Sequence, residues 1–83
     1  MISEASRSVA VQARNLYESE LRERLERSFS DRFVCIEPIS ERYFIGDTFD
    51  AAVNAALDAI PDRLTYTLRI GHQTAIHLGV LTQ

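Results

Sequence analysis

The chain contains no lysine, and all nine of its basic residues are arginine. Arg7, Arg14, Arg22, Arg24 and Arg27 fall near its start, but the same stretch carries Glu4, Glu18, Glu20, Glu23 and Glu26. The whole chain has a net charge of −3. It therefore lacks the broad cationic surface that a phosphate-binding footprint normally needs, so nucleic acid is not the favoured partner. Cysteine is nearly absent as well. Cys35 stands alone, which excludes an intramolecular disulfide and a zinc site built from several cysteines. No apolar run approaches the ~20 residues that span a bilayer, so no membrane partner is expected. The N-terminus has acidic Glu4 and no apolar stretch behind it, which does not read as a secretory leader. The cytoplasm is the expected compartment.

What is present is ordinary globular composition: 46% apolar and 25% charged over 83 residues. That is one domain, 1–83, near the lower size limit for a self-sufficient core. A domain this small buries only about 60% of its unfolded surface, so dimerisation would be an easy source of further stability.

Residues 3–28 hold no glycine or proline and read as a long amphipathic helix. Ser3 can cap it, and Glu4 suits the positive end of the helix dipole. Val9, Ala13, Leu16, Tyr17, Leu21 and Leu25 form an apolar stripe that drifts around the helix. Glu18–Arg22, Glu20–Arg24 and Glu23–Arg27 are i,i+4 pairs in the favourable order. Such a helix needs a surface to pack on, either the domain's own sheet or a partner.

The remainder, 32–83, reads as a ββαβ(β) core. Arg32 to Glu37 is rich in β-branched and aromatic residues and reads as a strand. Pro38 to Glu41 is a turn, and Arg42 to Gly46 a second strand, making an antiparallel hairpin. Asp47 or Thr48 caps a helix in which Phe49, Ala52, Val53, Ala56, Leu57 and Ile60 recur at helical spacing, until Pro61 stops it. Leu64, Tyr66, Leu68 and Ile70 alternate with Thr65, Thr67 and Arg69 as a half-buried strand. Gly71 to Gln73 is a turn, and 74–80 a possible last strand. The expected fold class is thus α+β: a long N-terminal helix and a mainly antiparallel sheet with a helix packed on one face. The expected core is Phe33, Cys35 or Ile36, Phe44, Val53, Leu57, Ile60, Tyr66, Leu68 and Ile70.

Residues able to carry chemistry are few. Cys35 lies inside an apolar strand, where a thiol is inert rather than nucleophilic. His72 and His77 are five apart and would face opposite sides of a strand, so they share no metal unless Asp47, Asp50 or Glu37 joins them. Asp47 and Asp50 at a helix start read as a cap and a first-turn acid rather than an acid–base pair. No cofactor or metal is expected, and a small enzyme is the least supported class. Arg69 projects from the polar face of its strand, beside Arg42, and with Tyr43 offers a surface that could touch nucleic acid. That surface, or the Arg-rich first helix, carries the alternative reading of a nucleic-acid-binding regulator. The residues singled out for partner binding are Tyr17, Leu21, Leu25 and Arg69.

The run Tyr43-Phe44-Ile45-Gly46-Asp47-Thr48-Phe49-Asp50-Ala51-Ala52, with Ala55, Ala56 and Ile60, resembles the core of HicB-type antitoxins, in which a strand passes through Gly-Asp-Thr into an Ala-rich helix. Gly46, Asp47, Thr48 and Ala52 match that pattern, while Ala51 stands where the family often has Glu. The resemblance covers about 33–61 and implies a fragment of the RNase H type, a sheet with a helix on one face. The stretch from Pro61-Asp62-Arg63 to Arg69-Ile70-Gly71-His72 resembles small uncharacterised bacterial proteins. The second resemblance implies a bacterial origin and a compact fold and no activity; the first implies a small protein that binds and restrains another protein. With the thin catalytic candidates and the small core, the expected function is a non-enzymatic, antitoxin-like protein-binding module, acting as a homodimer or with a cognate protein.

Overall fold

A computed structural model of the chain describes residues 4–72. Its elements are α1 (Glu4–Leu16), a π-helical turn (Tyr17–Leu21), α2 (Arg22–Phe29), β1 (Phe33–Glu37), β2 (Arg42–Gly46), α3 (Phe49–Ala59) and β3 (Tyr66–Arg69). The strands form one antiparallel sheet in the order β2-β1-β3. β2 and β3 therefore run parallel on either side of β1, with α3 as the crossover between them. The expected strand over 74–80 and His77 lie outside the described residues.

The first helix is continuous from Glu4 to Phe29 but is not α-helical throughout. Ala13, Tyr17, Leu21 and Leu25 are spaced by four, and in a regular α-helix each such step slips by about 40° around the axis. The π turn offsets that slip. The Arg22 N–H reaches back five residues to the Tyr17 carbonyl, which widens one turn and keeps the stripe aimed at one surface. All four side chains are buried. Of the expected ion pairs, Arg22–Glu18 forms at 2.9 Å, and Arg22 also bonds Glu26 at 3.1 Å. The Glu20–Arg24 and Glu23–Arg27 pairs do not come within ion-pair distance. Both are exposed positions, where pairing gains little.

The pleat of β1 sorts the apolar residues into two cores. Val34 and Ile36, with Tyr66, Leu68 and Ile70, meet the first helix through Ala13, Tyr17, Leu21 and Leu25. Cys35, with Phe33 and Phe44, meets α3 through Ala52, Ala56 and Val53. The sheet is thus sandwiched, with the long helix on one face and α3 on the other. Both Cys35 and Ile36 are fully buried, one on each side.

Two expectations need correction, and one open alternative is decided. Leu57 is not core but 50% exposed. Ala52 and Ala56 bring α3 so close to the sheet that its buried face is narrow, and Leu57 falls on the flank. β3 begins at Tyr66 rather than Leu64, which is also 50% exposed. In the register that pairs Ile36 with Tyr66, Leu64 would lie opposite Pro38, which has no N–H to donate, so the ladder stops short. Of the two expected cap candidates for α3, Thr48 is the cap: its hydroxyl accepts the Ala51 N–H at 3.0 Å.

Candidate functional site

Tyr17, Leu21 and Leu25 are 5%, 4% and 1% exposed. The sheet occupies the stripe that the sequence offers to either the domain or a partner. These residues present no docking surface unless the helix lifts away.

Arg69 lies at the end of the sheet where β1 begins. Its Nε donates to the Asp31 carbonyl at 3.2 Å, and its guanidinium lies over the Phe33 ring at 5.4 Å. Asp31 adopts a left-handed backbone (φ 74°) and donates its N–H to the Ile70 carbonyl at 2.9 Å. Its carboxylate meets His72 Nε2 at 2.7 Å, and that contact holds its carboxyl below the usual range. The arrangement joins the entry to β1 with the exit from β3. Arg32 adds a contact to Asp47 at 3.3 Å. Arg42 is not beside Arg69. The register places Arg42 opposite Glu37 and Arg69 opposite Phe33, on different edge strands at opposite ends of β1. The expected basic face is therefore not assembled. Among the described residues, no group of three His, Cys, Asp or Glu side chains could hold a metal ion.

The other end of the sheet is built differently. The hairpin turn joining β1 to β2, the C-terminus of α3 and the segment leading into β3 all converge there. Glu37, at the end of β1, is 1% exposed. Its Oε2 accepts the Ile39 N–H at 3.0 Å and its Oε1 the Ser40 N–H at 2.9 Å. Arg63 approaches the same carboxylate at 4.0 Å and ties the α3–β3 segment to the hairpin turn. Burial pushes this carboxyl up. The hydroxyl and N–H of Ser40, the N–H of Ile39 and the charge of Arg63 outweigh that, and hold it below the usual carboxylate range. The clamp fixes the turn with Ile39 outermost, 68% exposed. Leu57 and Leu64 lie at this same end. Glu41, Asp58 and Asp62, in the same turn, helix end and connecting segment, are exposed.

This end is not marked in the sequence. Leu57 and Leu64 fit the periodic patterns of buried elements, and a carboxylate placed just before a turn proline is a faint signal for a clamp.

The clamp has a pH signature. A carboxyl depressed in the fold stabilises it fully above its ordinary value near 4.5, and that contribution is lost as pH falls through the folded value. Glu37→Gln should cost about 1–3 kcal/mol at neutral pH, from weakened bonds of a buried carboxylate to the Ile39 and Ser40 N–H groups. The deficit relative to the parent should shrink as pH falls below the ordinary carboxylate value. Denaturant melts of both proteins at several pH values would check this, and a deficit that stays constant with pH would refute the clamp.

Compared with known protein families, with curated proteins and with solved structures, the chain matches none.

Proposed function

We propose that the protein is a non-enzymatic protein-binding module that docks a cognate protein at the hairpin end of its sheet and also self-associates as a homodimer. One observation carries the docking half. Among the described residues, the large apolar side chains left exposed are Val11, Ile39, Leu57 and Leu64. The chain path puts Ile39 in the hairpin turn, Leu57 near the C-terminus of α3 and Leu64 just before β3, the segments that meet at that end, while Val11 lies apart on the first helix. Apolar groups gathered at one place with a polar rim mark an interaction site more often than scattered ones do. The rim here is acidic, from Glu41, Asp58 and Asp62, with Arg63 turned toward Glu37. The fitting partner is a protein whose surface is apolar at its centre and basic around it.

The antitoxin-like version of this reading, in which the module restrains its partner, rests on the resemblance of the Gly46-Asp47-Thr48 turn to HicB-type antitoxins. A cytoplasmic setting suits a chain whose one thiol, Cys35, is fully buried and free.

The test uses Leu57→Glu combined with Leu64→Glu. Both positions are half exposed, so the variant should keep the parent's melting transition within a few degrees, since exposed substitutions usually cost under about 0.5 kcal/mol. Proteins that the parent and a Val11→Glu control retain from a lysate of the source cell should be lost by the double variant. Retention by all three would refute the site.

A further inference from the structure

β1 lies in the middle of the sheet and bonds alternately to its two neighbours. The Arg32 carbonyl accepts the Ile70 N–H at 2.7 Å, so the backbone groups of Arg32, and by alternation those of Val34 and Ile36, face β3. Those of Phe33, Cys35 and Glu37 face β2. Their partners there are Gly46, Phe44 and Arg42. Tyr43 and Ile45 therefore turn their N–H and C=O groups away from the sheet, and among the described residues no strand pairs with them.

Exposed edges are usually blunted by proline, a bulge, or charge. β2 has no proline, its register with β1 is unbroken, and its one charge, Arg42, stands at the first position. Tyr43, Phe44 and Ile45 are each only partly buried, Tyr43 and Ile45 against one core and Phe44 against the other. Both faces of the edge are apolar and incomplete.

We propose that β2 of a second copy of this chain pairs antiparallel with β2 about a twofold axis at Phe44. This deepens the homodimer half of the reading above and rests on it. The strand is its own complement in that register. Tyr43 faces Ile45 of the second copy and Ile45 faces Tyr43 of the second copy, and each pair exchanges both backbone bonds. Phe44 opposes Phe44 of the second copy in the close, non-bonded position, where aromatic pairs are favourable. Arg42 faces the side-chain-free Gly46 of the second copy. Pairing would join the three described strands of each copy into one continuous sheet. The interface is small, so the dimer is reversible rather than obligate.

The experiment combines solution mass across a dilution series with amide hydrogen exchange of the unmodified protein. The expected result is a monomer–dimer equilibrium in which the Tyr43 and Ile45 amides exchange about tenfold faster once diluted into monomer, as a locally opened edge does. Ile45→Pro should be monomeric and folded, because proline is tolerated where an edge N–H points outward. Leu57→Glu with Leu64→Glu should dimerise normally. A monomer at every concentration overturns the proposal, as does a dimer whose Tyr43 and Ile45 amides exchange unprotected. Protection independent of concentration overturns it by showing that the chain covers its own edge. Loss of the dimer in the Leu57/Leu64 variant also overturns it, by moving self-association to the hairpin end. None of these results bears on capture of a heterologous partner, which the lysate comparison scores alone.

Discussion

Leu21→Glu combined with Leu25→Glu should abolish the folded state. The two leucines are 4% and 1% exposed in the core shared with Val34, Ile36, Tyr66 and Leu68. Losing a buried leucine side chain costs about 2–5 kcal/mol at each position. Burying an unpaired carboxylate in its place adds several kcal/mol more. The whole stability of a small domain is only about 5–15 kcal/mol, so the sum exceeds what the fold has to lose. Circular dichroism and a thermal melt would read the result as a missing cooperative transition. Val11→Glu, on the same helix but 53% exposed, should melt like the parent and shows that added charge alone is harmless. A double variant that kept its native melt would mean that the long helix does not rest on the sheet, and that its stripe is free for a partner after all.

The stripe illustrates what a sequence makes legible. Apolar residues at spacings of four announced a buried helical face, but not whose surface would bury it. That depended on β1, whose Val34 and Ile36 point one way while Cys35 points the other. A run of consecutive apolar residues says that both faces of a strand are covered and leaves the coverings unnamed. The π turn was latent in the same spacing, because a strict repeat of four cannot stay on one face of an α-helix. The element order and the hairpin were readable because Pro38 and Pro61 punctuate the chain. The hairpin end was not readable. Its exposure arises from how closely α3 approaches and where the β1–β3 ladder stops, and both are properties of packing rather than of local pattern. Arg42 and Arg69 failed for a related reason. Each lies on the same face of the sheet, but only the register shows that they stand at opposite ends.

The close approach of α3 makes the second large prediction, at Gly46. A β-carbon built there would lie 2.4 Å from the Ala52 nitrogen, 2.8 Å from the Ala51 carbonyl carbon and 2.9 Å from the Ala51 Cβ. Two of those atoms belong to the helix backbone and cannot rotate aside. Gly46→Ala must therefore lift the start of α3 from the sheet, opening the core of Cys35, Ala52 and Ala56 and pulling Thr48 from its cap on the Ala51 N–H. Overpacking a tight site typically costs about 1–3 kcal/mol, and a lost N-cap about 1 kcal/mol. Gly46→Ala should accordingly lower the melting temperature by about 10 °C or more in a domain of this size. Gly71→Ala is the useful contrast. Its backbone is left-handed (φ 86°), but the atom its β-carbon would meet first is the Ser30 hydroxyl, a side chain that can turn away. The effect there should be smaller, and confined to the junction of Asp31 and His72. A Gly46→Ala protein as stable as the parent would show that α3 rides higher on the sheet than these distances allow. In that event the Gly46-Asp47-Thr48 turn would owe its glycine to something other than packing, and the resemblance it carries would gain weight as a sign of function.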